Sequence, residues 1–272
     1  MTDTLTDLRA HFGLTTLPFT CEIPVADRWA SPLFDEPLQA LLHTVEQRMS
    51  AVLLAPSGTG KTLLLRTLRS LLPEARYRVH YVKLTSLSKR DLCREIATAA
   101  GLELSGTYPV LVQKLQDAFR SQLDDDGLRS VLIIDEGQDL RPEVLATLRI
   151  LTNFDMDSRL VLSLVLAGDS NLRHLLDQAE LEPVRRRLAH SATLRLLSRA
   201  ETRDYMQHRI RIAGGPNFPF DSQAADAVYE ITRGNLRAID HVARKSLELA
   251  ARQALPCVNA TLVAAARQNL ML

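Results

Sequence analysis

The stretch that decides the fold runs from Ala51 to Thr62 and reads AVLLAPSGTGKT. It begins as a short apolar run typical of a buried strand, and a helix is predicted from Lys61 onward. Gly58 and Gly60 let backbone N–H groups converge on a phosphate, while Lys61 supplies a cation and Thr62 a hydroxyl for Mg²⁺. This order of strand, glycine-rich loop and helix predicts a phosphate-binding P-loop. The alternative is an ordinary glycine-rich turn.

The loop departs from the usual P-loop pattern at one position, because Ala55 stands where the first glycine is expected. We expect the loop to bind ATP, with the N-terminus of the following helix facing the phosphates. The residues predicted to contact the nucleotide are Pro56, Ser57, Gly58, Thr59, Gly60, Lys61, Thr62 and Leu63.

A second apolar run, from Val131 to Asp135, ends in two adjacent carboxylates, Asp135 and Glu136. Asp135 is predicted to bind Mg²⁺ together with Thr62, as in other P-loop nucleotide hydrolases. Glu136 is predicted to act as the general base that polarises the attacking water. The alternative is a pair of solvated carboxylates at a strand end. With the P-loop upstream, the pair favours ATP hydrolysis with Mg²⁺ as the metal cofactor.

Beyond the P-loop, apolar strands alternate with helical segments, which favours an α/β fold with a parallel sheet. Strands are predicted at 51–55, 77–84, 131–135, 160–168 and 192–197, and after them only helical segments follow, at 199–213, 222–232, 235–253 and 258–269. We therefore expect an irregular N-terminal leader at 1–31 that packs on the core, an α/β core at 32–197 and a helical domain at 198–272.

The composition narrows the classes of protein that fit. The chain has 272 residues, 33 basic against 32 acidic, so a globally basic nucleic-acid coat is excluded. Three scattered cysteines exclude a disulfide scaffold and a cysteine-rich zinc site. There is no apolar run of the ~20 residues that a membrane helix needs, and no apolar signal-peptide stretch. A cytoplasmic protein without membrane contact is expected.

Taken together, these motifs resemble the AAA+ ATPases. The similarity is to the bacterial DNA-transposition regulators of the TnsC, TniB and IstB/MuB type and to the secretion-associated ExeA/GspA ATPases. The similarity rests on the segments FGL (12–14), PF (18–19), SGTGKT (57–62), LIIDEGQDL (132–140), LRILTNF (148–154), LVLAGDSNLR (164–173), VRRRLA (184–189), LSRAET (197–202) and RGNLRAID (233–240). The resemblance implies a P-loop AAA+ core with a parallel five-stranded sheet, followed by a small all-helical lid.

The resemblance also implies roles for residues outside the two nucleotide motifs. Asp169, or else Ser170, matches sensor 1, which senses the γ-phosphate. Arg187, and after it Arg185, matches the arginine finger that a neighbouring subunit inserts. For this arginine segment, a solvated basic turn or a nucleic-acid contact is the alternative. Arg237 matches the sensor-2 arginine that reports nucleotide state to the lid, with a surface helix residue as the alternative.

The leader contains apolar residues that the resemblance places beside the adenine. They are Phe12, Leu14, Pro18 and Phe19. Simple packing in the core is the other interpretation of these side chains.

Two arginine-rich stretches, 66–94 and 183–211, could bind phosphates of duplex DNA without reading its sequence. In the resembling transposition ATPases, the segment after the second strand faces DNA. Here that segment is 85–90, and Lys89 and Arg90 are the predicted DNA contacts. The alternative is a set of solvated helix faces and ion pairs between protomers.

The function predicted first is an ATP-dependent regulator of DNA transposition. A finger that acts in trans requires a homo-oligomer, as a ring or helical filament, assembled here on duplex DNA. It would recruit or stimulate a transposase together with a target-selection protein. One alternative is an ExeA/GspA-like ATPase of envelope or secretion assembly. Because those relatives carry a membrane span and a periplasmic domain after the ATPase and this chain ends at Leu272, we expect this less. The other is an ATP-gated scaffold with little turnover.

Overall fold

The computed structural model describes residues 3–83 and 87–268. The strands are β1 (Ser50–Leu54), β2 (Tyr77–Lys83), β3 (Arg129–Asp135), β4 (Leu162–Gly168) and β5 (Leu188–Thr193). The helices are α1 (Asp3–Phe12), α2 (Pro32–Glu46), α3 (Lys61–Leu71), α4 (Lys89–Ala99), α5 (Tyr108–Asp124), α6 (Pro142–Leu151), α7 (Ser170–Leu176), α8 (Glu182–Arg185), α9 (Arg199–Ile212), α10 (Ser222–Thr232), α11 (Leu236–Arg252) and α12 (Ala260–Gln268).

The five strands form one parallel sheet in the order β2-β3-β4-β1-β5. In the register, Ile133 of β3 pairs with Val165 of β4, which pairs in turn with Ala51 of β1. These central strands are buried along almost their whole length, as their continuous apolar runs require in a sheet covered on both faces. The predicted α/β fold with a five-stranded parallel sheet is confirmed.

The chain forms two compact units. The larger one comprises 31–56 and 61–194 and contains the sheet. In it, α2 packs on β1 and β5, while α4 contacts β2 and α5 contacts β3. Because the strands are parallel, the carboxyl ends of β1, β3 and β4 lie at one edge of the sheet, where α/β folds bind their ligands.

The smaller unit comprises 1–30, 57–60 and 195–272. It is helical, and α1 packs on α11 beside α9, α10 and α12. Its interior holds a charged cluster, in which Arg209 lies 3.1 Å from Asp240 and donates to the carbonyl of Thr20 at 2.8 Å. Tyr205 donates to Asp240 at 2.9 Å. Burial raises the pKa of Asp240 to about 6, although Arg209 opposes the shift. The cluster fixes the leader to α9 and α11.

The leader differs from its prediction, because residues 3–12 form α1 rather than an irregular segment. The helix ends at Gly13, whose φ of 65° suits a glycine after a helix C-terminus. Phe19 is buried and packs edge-on against Phe220, so it is a core residue of the smaller unit. The leader belongs to the same unit as the C-terminal helices. The predicted division into leader, core and lid stays a prediction.

The last predicted strand, 192–197, is wrong by four residues, since β5 spans Leu188–Thr193. β5 lies at the edge of the sheet, so most of its side chains are exposed and its sequence has no apolar run. Leu194 and Leu197 are buried but follow the strand. The apolar residues on which the predicted strand was based therefore lie in the segment that follows β5. None of the described helices combines the length and the apolarity that crossing a bilayer requires.

Candidate phosphate-binding and catalytic site

The P-loop joins the end of β1 to the start of α3. Gly58 and Gly60 have φ of 78° and 90°, a region that favours glycine. Ala55 does not adopt a positive φ, and its N–H donates to the carbonyl of Gly168 at 2.9 Å. The first position of the loop therefore continues the sheet, and this geometry explains why alanine can replace glycine there.

Lys61 is the first residue of α3 and its side chain is only 8% exposed. Its ammonium lies 3.0 Å from Asp135 Oδ1 and 2.8 Å from Glu136 Oε2. The structure thus brings together three of the predicted catalytic side chains, one from α3 and two from the end of β3. A buried cation between two carboxylates is well placed to bind a phosphate group by charge-assisted hydrogen bonds.

Asp135 is fully buried at the end of β3. Its Oδ1 accepts from the backbone N–H of Glu136 at 2.9 Å in addition to the contact with Lys61. Its Oδ2 accepts from the hydroxyl of Tyr81 at 3.0 Å and from the hydroxyl of Thr62 at 3.3 Å. Burial and the adjacent Asp135 carboxylate raise the pKa of Tyr81, so that its hydroxyl stays protonated and donates.

Thr62 and Asp135 fit the predicted Mg²⁺ site. Their oxygens converge at 3.3 Å, and hydroxyl and carboxylate oxygens are ligands that Mg²⁺ prefers. Among the residues that the structure describes, no three His, Cys, Asp or Glu side chains cluster as metal ligands. Mg²⁺ in phosphate sites is held by one or two side chains plus phosphate oxygens. A site of this type is the one that these two residues could form.

Glu136 has an unusual backbone, with φ of 57°. Its Oε2 accepts from the side-chain amide of Gln138 at 2.7 Å as well as from Lys61. Burial would raise the pKa of Glu136, but hydrogen bonds from Lys61 and Gln138 outweigh it, and the pKa lies below its ordinary value. Glu136 is therefore ionised at neutral pH, as a general base must be.

The loop residues 57–60 belong to the smaller unit, where they contact the start of α11. Asn235 donates from Nδ2 to the carbonyl of Ser57 at 2.7 Å and caps α11 through Oδ1. A Cβ on Gly58 would lie 2.4 Å from that Oδ1. Glycine is thus needed at position 58 for two reasons: the backbone has a positive φ there, and Asn235 approaches too closely for a side chain.

The structure describes the contacts and exposure of the predicted sensor residues. Arg237 is exposed, and its backbone N–H donates to the carbonyl of Gly58 at 3.1 Å. Asp169 caps α7 by accepting from the N–H of Asn171 at 2.8 Å, and Ser170 is exposed.

The arginines of the predicted finger segment differ in exposure. Arg185 is exposed and lies 3.7 Å from Asp177. Arg187 is half-buried and donates to the carbonyl of Thr152 at 3.4 Å. The roles of these residues stay predictions.

The remaining predicted positions are described in part. Lys89 and Arg90 are exposed at the start of α4, but residues 84–86 of the preceding segment lie outside the described residues. Thr59 is 2% exposed, whereas Pro56 and Ser57 are exposed and Leu63 is half-buried.

Three residues that contact this machinery were missed by the sequence analysis. Tyr81 and Gln138 bond the two carboxylates, and Asn235 bonds the P-loop. Gln138 and Asn235 stand within the quoted motifs LIIDEGQDL and RGNLRAID, so each motif carried a signal. Tyr81 lies two residues before the end of an apolar strand, and nothing in the sequence distinguishes it from a core tyrosine.

Comparisons with known proteins agree with this fold. Residues 43–176 match the family model described as "AAA domain". The chain is also similar in structure to Cdc6p from Pyrobaculum aerophilum, with a TM-score of 0.74 and 17% identity over 93% of this chain and 70% of that one. The Aeropyrum pernix ORC1 protein, in a complex with DNA, gives a TM-score of 0.66 and 18% identity over 90% of this chain and 66% of that one. These likenesses show the fold of P-loop AAA+ ATPases.

A relative by sequence is the General secretion pathway protein A of Aeromonas hydrophila. It is 30% identical over 239 residues, which cover 87% of this chain. The chain spans 43% of the length of that protein, so the two share one region.

The contact between Tyr81 and Asp135 leads to a first prediction. In Tyr81→Phe the buried Asp135 carboxylate loses a hydrogen bond that orients it, and outer contacts of this kind typically change metal affinity 10–100-fold. We expect the Mg²⁺ concentration needed to stabilise the ADP-bound protein to rise about tenfold. The measurement is the thermal midpoint with ADP as Mg²⁺ is titrated.

Tyr77→Phe is the matched control. Tyr77 lies on the same strand, and its hydroxyl is paired with Arg129 instead of Asp135. If Tyr81→Phe and Tyr77→Phe respond equally to Mg²⁺, Tyr81 has no part in the metal site.

Proposed function

We propose, from the match of residues 43–176 to the family model described as "AAA domain", that the chain is a Mg²⁺-dependent ATPase whose nucleotide state controls assembly. The observation that carries the proposal is the contact of Lys61 with both Asp135 and Glu136 at 3.0 and 2.8 Å. A cation, a metal-ligating carboxylate and an ionised base at one sheet edge are the parts that phosphoryl transfer to water needs.

The geometry supports a separate role for each of these residues. Lys61 would bind the β- and γ-phosphates, while Thr62 and Asp135 would hold Mg²⁺, which neutralises developing charge on the phosphate oxygens. Glu136 would take a proton from the attacking water. The positive φ of Gly58 and Gly60 supports backbone N–H groups of the loop as further phosphate donors.

We propose further that the active form is a homo-oligomer with an arginine supplied in trans. Arg185 is the more accessible of the two candidates, since its side chain is 56% exposed and its pair with Asp177 is 3.7 Å long. An exposed pair of this length is weak and can be exchanged for a phosphate of a neighbouring protomer. The proposed contact is head-to-tail, which generates a ring or a helical filament.

Two biological settings for this proposed ATPase have support: DNA transposition, and secretion or envelope assembly. The motif order supports a regulator of DNA transposition that assembles on duplex DNA and recruits a transposase and a target selector. The fold likeness to ORC1, solved in a complex with DNA, also favours a DNA partner. The 30% identity with General secretion pathway protein A favours a role in secretion or envelope assembly as the second candidate.

The contacts of the basic residues bear on the choice between these two settings, because only the first requires a surface that binds DNA. Several arginines of the stretch 183–211 are paired within the chain, for example Arg186 with Glu182 and Arg195 with Glu201, each at 2.7 Å. Lys89 borders a cleft with Glu143 and Glu180, whereas Arg90 is exposed outside it. Of the two proposed DNA contacts, Arg90 therefore has the stronger support.

Glu136→Gln tests the proposed reaction. The amide cannot accept a proton from water, so we expect turnover to fall by about 100-fold or more while ATP affinity stays within about threefold. Steady-state hydrolysis and a fluorescent-nucleotide titration measure the two quantities. Glu143→Gln, an exposed glutamate of α6, is the matched control and should hydrolyse ATP at the wild-type rate. Full turnover by Glu136→Gln would reject Glu136 as the base.

Assembly with and without duplex DNA separates the two settings. If the protein regulates transposition, light scattering and electron microscopy should show ATP-dependent assembly that duplex DNA promotes. Lys89→Ala/Arg90→Ala should then lower the slope of log affinity against log salt by about two, because two phosphate contacts are lost.

The double variant Lys114→Ala/Arg141→Ala removes the same charge from exposed sites of the same unit and serves as the control. Absence of any effect of DNA on assembly or ATPase rate would reject the transposition setting. Co-sedimentation with envelope vesicles would then be the positive result for the second candidate.

A further inference from the structure

Gln138 lies two residues after the proposed base Glu136, and no role has yet been assigned to it. It lies in a short 3-10 helix, Gly137–Asp139, that contacts β4 and α7. Its Nε2 donates to Glu136 Oε2 at 2.7 Å, and its Oε1 accepts from the backbone N–H of Asp169 at 3.2 Å. A single amide thus bonds the proposed base on one side and the β4–α7 junction on the other.

The chemistry of the two partners restricts the residue that can connect them. The ionised carboxylate of Glu136 only accepts hydrogen bonds, and the N–H of Asp169 only donates. The bridging side chain must therefore donate at one atom and accept at another a short distance away. A carboxamide does this, whereas an ionised glutamate cannot donate and a methionine cannot donate and accepts only weakly.

The surrounding backbone is shaped for this bridge. A Cβ on Gly168 would lie 2.6 Å from Gln138 Oε1, and a Cβ on Gly137 would lie 2.8 Å from Leu166 Cδ1. Neither glycine has a positive φ, so close packing, and not backbone conformation, disfavours a side chain at these two positions. Two glycines on facing segments let the 3-10 helix approach β4 closely enough for the amide to reach Asp169.

The side chain of Asp169 is engaged elsewhere. Its carboxylate accepts from the N–H of Asn171 at 2.8 Å and from the side-chain amide of Asn171 at 3.3 Å. The link from this junction to the base therefore runs through the backbone of Asp169 and the side chain of Gln138.

From this geometry we infer that Gln138 is a positioning residue, which holds Glu136 in its reactive orientation and couples the base to the β4–α7 junction. The inference rests on the proposed ATPase function. A shift of the junction that moves the N–H of Asp169 reorients the amide and with it the carboxylate. The position of β4 and α7 would thereby set the rate of hydrolysis without a direct contact between Asp169 and Glu136.

The experiment compares Gln138→Met and Gln138→Glu with the wild type. Both variants should keep ATP affinity within about threefold, since Gln138 is not proposed to touch nucleotide. Both should lower kcat about tenfold or more, because a misplaced base loses part of its 10²–10⁴-fold contribution. The loss should be confined to kcat, with KM for ATP within the same threefold of the wild type, as expected when a group acts on the reaction and not on substrate binding.

Gln116→Met is the matched control, because the amide of Gln116 also makes two hydrogen bonds, to the carbonyls of Ile150 and Asn153 at the end of α6. It should leave kcat and KM for ATP unchanged. The inference is overturned if the Gln138 variants match this control. It is equally overturned if ATP affinity falls together with kcat, since that result indicates general structural damage to the site. A wild-type protein without ATP turnover would reject the proposed function itself.

Discussion

The ammonium of Lys61 between the carboxylates of Asp135 and Glu136 is the interaction on which the account of the site depends. It joins the first turn of α3 to the end of β3, two segments 75 residues apart in sequence. It is possible because the parallel sheet brings the carboxyl ends of β1, β3 and β4 to one edge, with β4 between the other two. A buried lysine is stable only with such partners, since an unpaired buried charge costs several kcal/mol.

Around this ion cluster, hydrogen bonds from neutral side chains fix each carboxylate in a different way. Asp135 accepts hydrogen bonds from the hydroxyls of Tyr81 and Thr62 and is fully buried, which suits a metal ligand that must not move. Glu136 is more exposed and receives the amide of Gln138, which suits a base that must meet water. The same strand end thus supplies two carboxylates whose surroundings suit them to the two different roles proposed for them.

Much of this arrangement could be predicted from the sequence, because the relevant signals are local. The apolar runs of β1, β3 and β4, the glycines of the P-loop and the adjacent Asp135 and Glu136 all identify themselves within a few residues. The edge strand β5 could not be placed, since its exposed side chains leave no apolar pattern. The bridge from Gln138 to Asp169 depends on how closely two distant segments approach, and only the structure shows that distance.

A titration of nucleotide binding with Lys61→Ala tests the central claim most directly. Removal of the ammonium deletes a charge-assisted contact to phosphate and leaves Asp135 and Glu136 to repel the nucleotide. The account predicts that affinity for ATP falls at least about tenfold, which is about 1.4 kcal/mol. The control Lys114→Ala, at an exposed lysine of α5, should bind like the wild type. Equal ATP affinity of Lys61→Ala and wild type would contradict the assignment of this site.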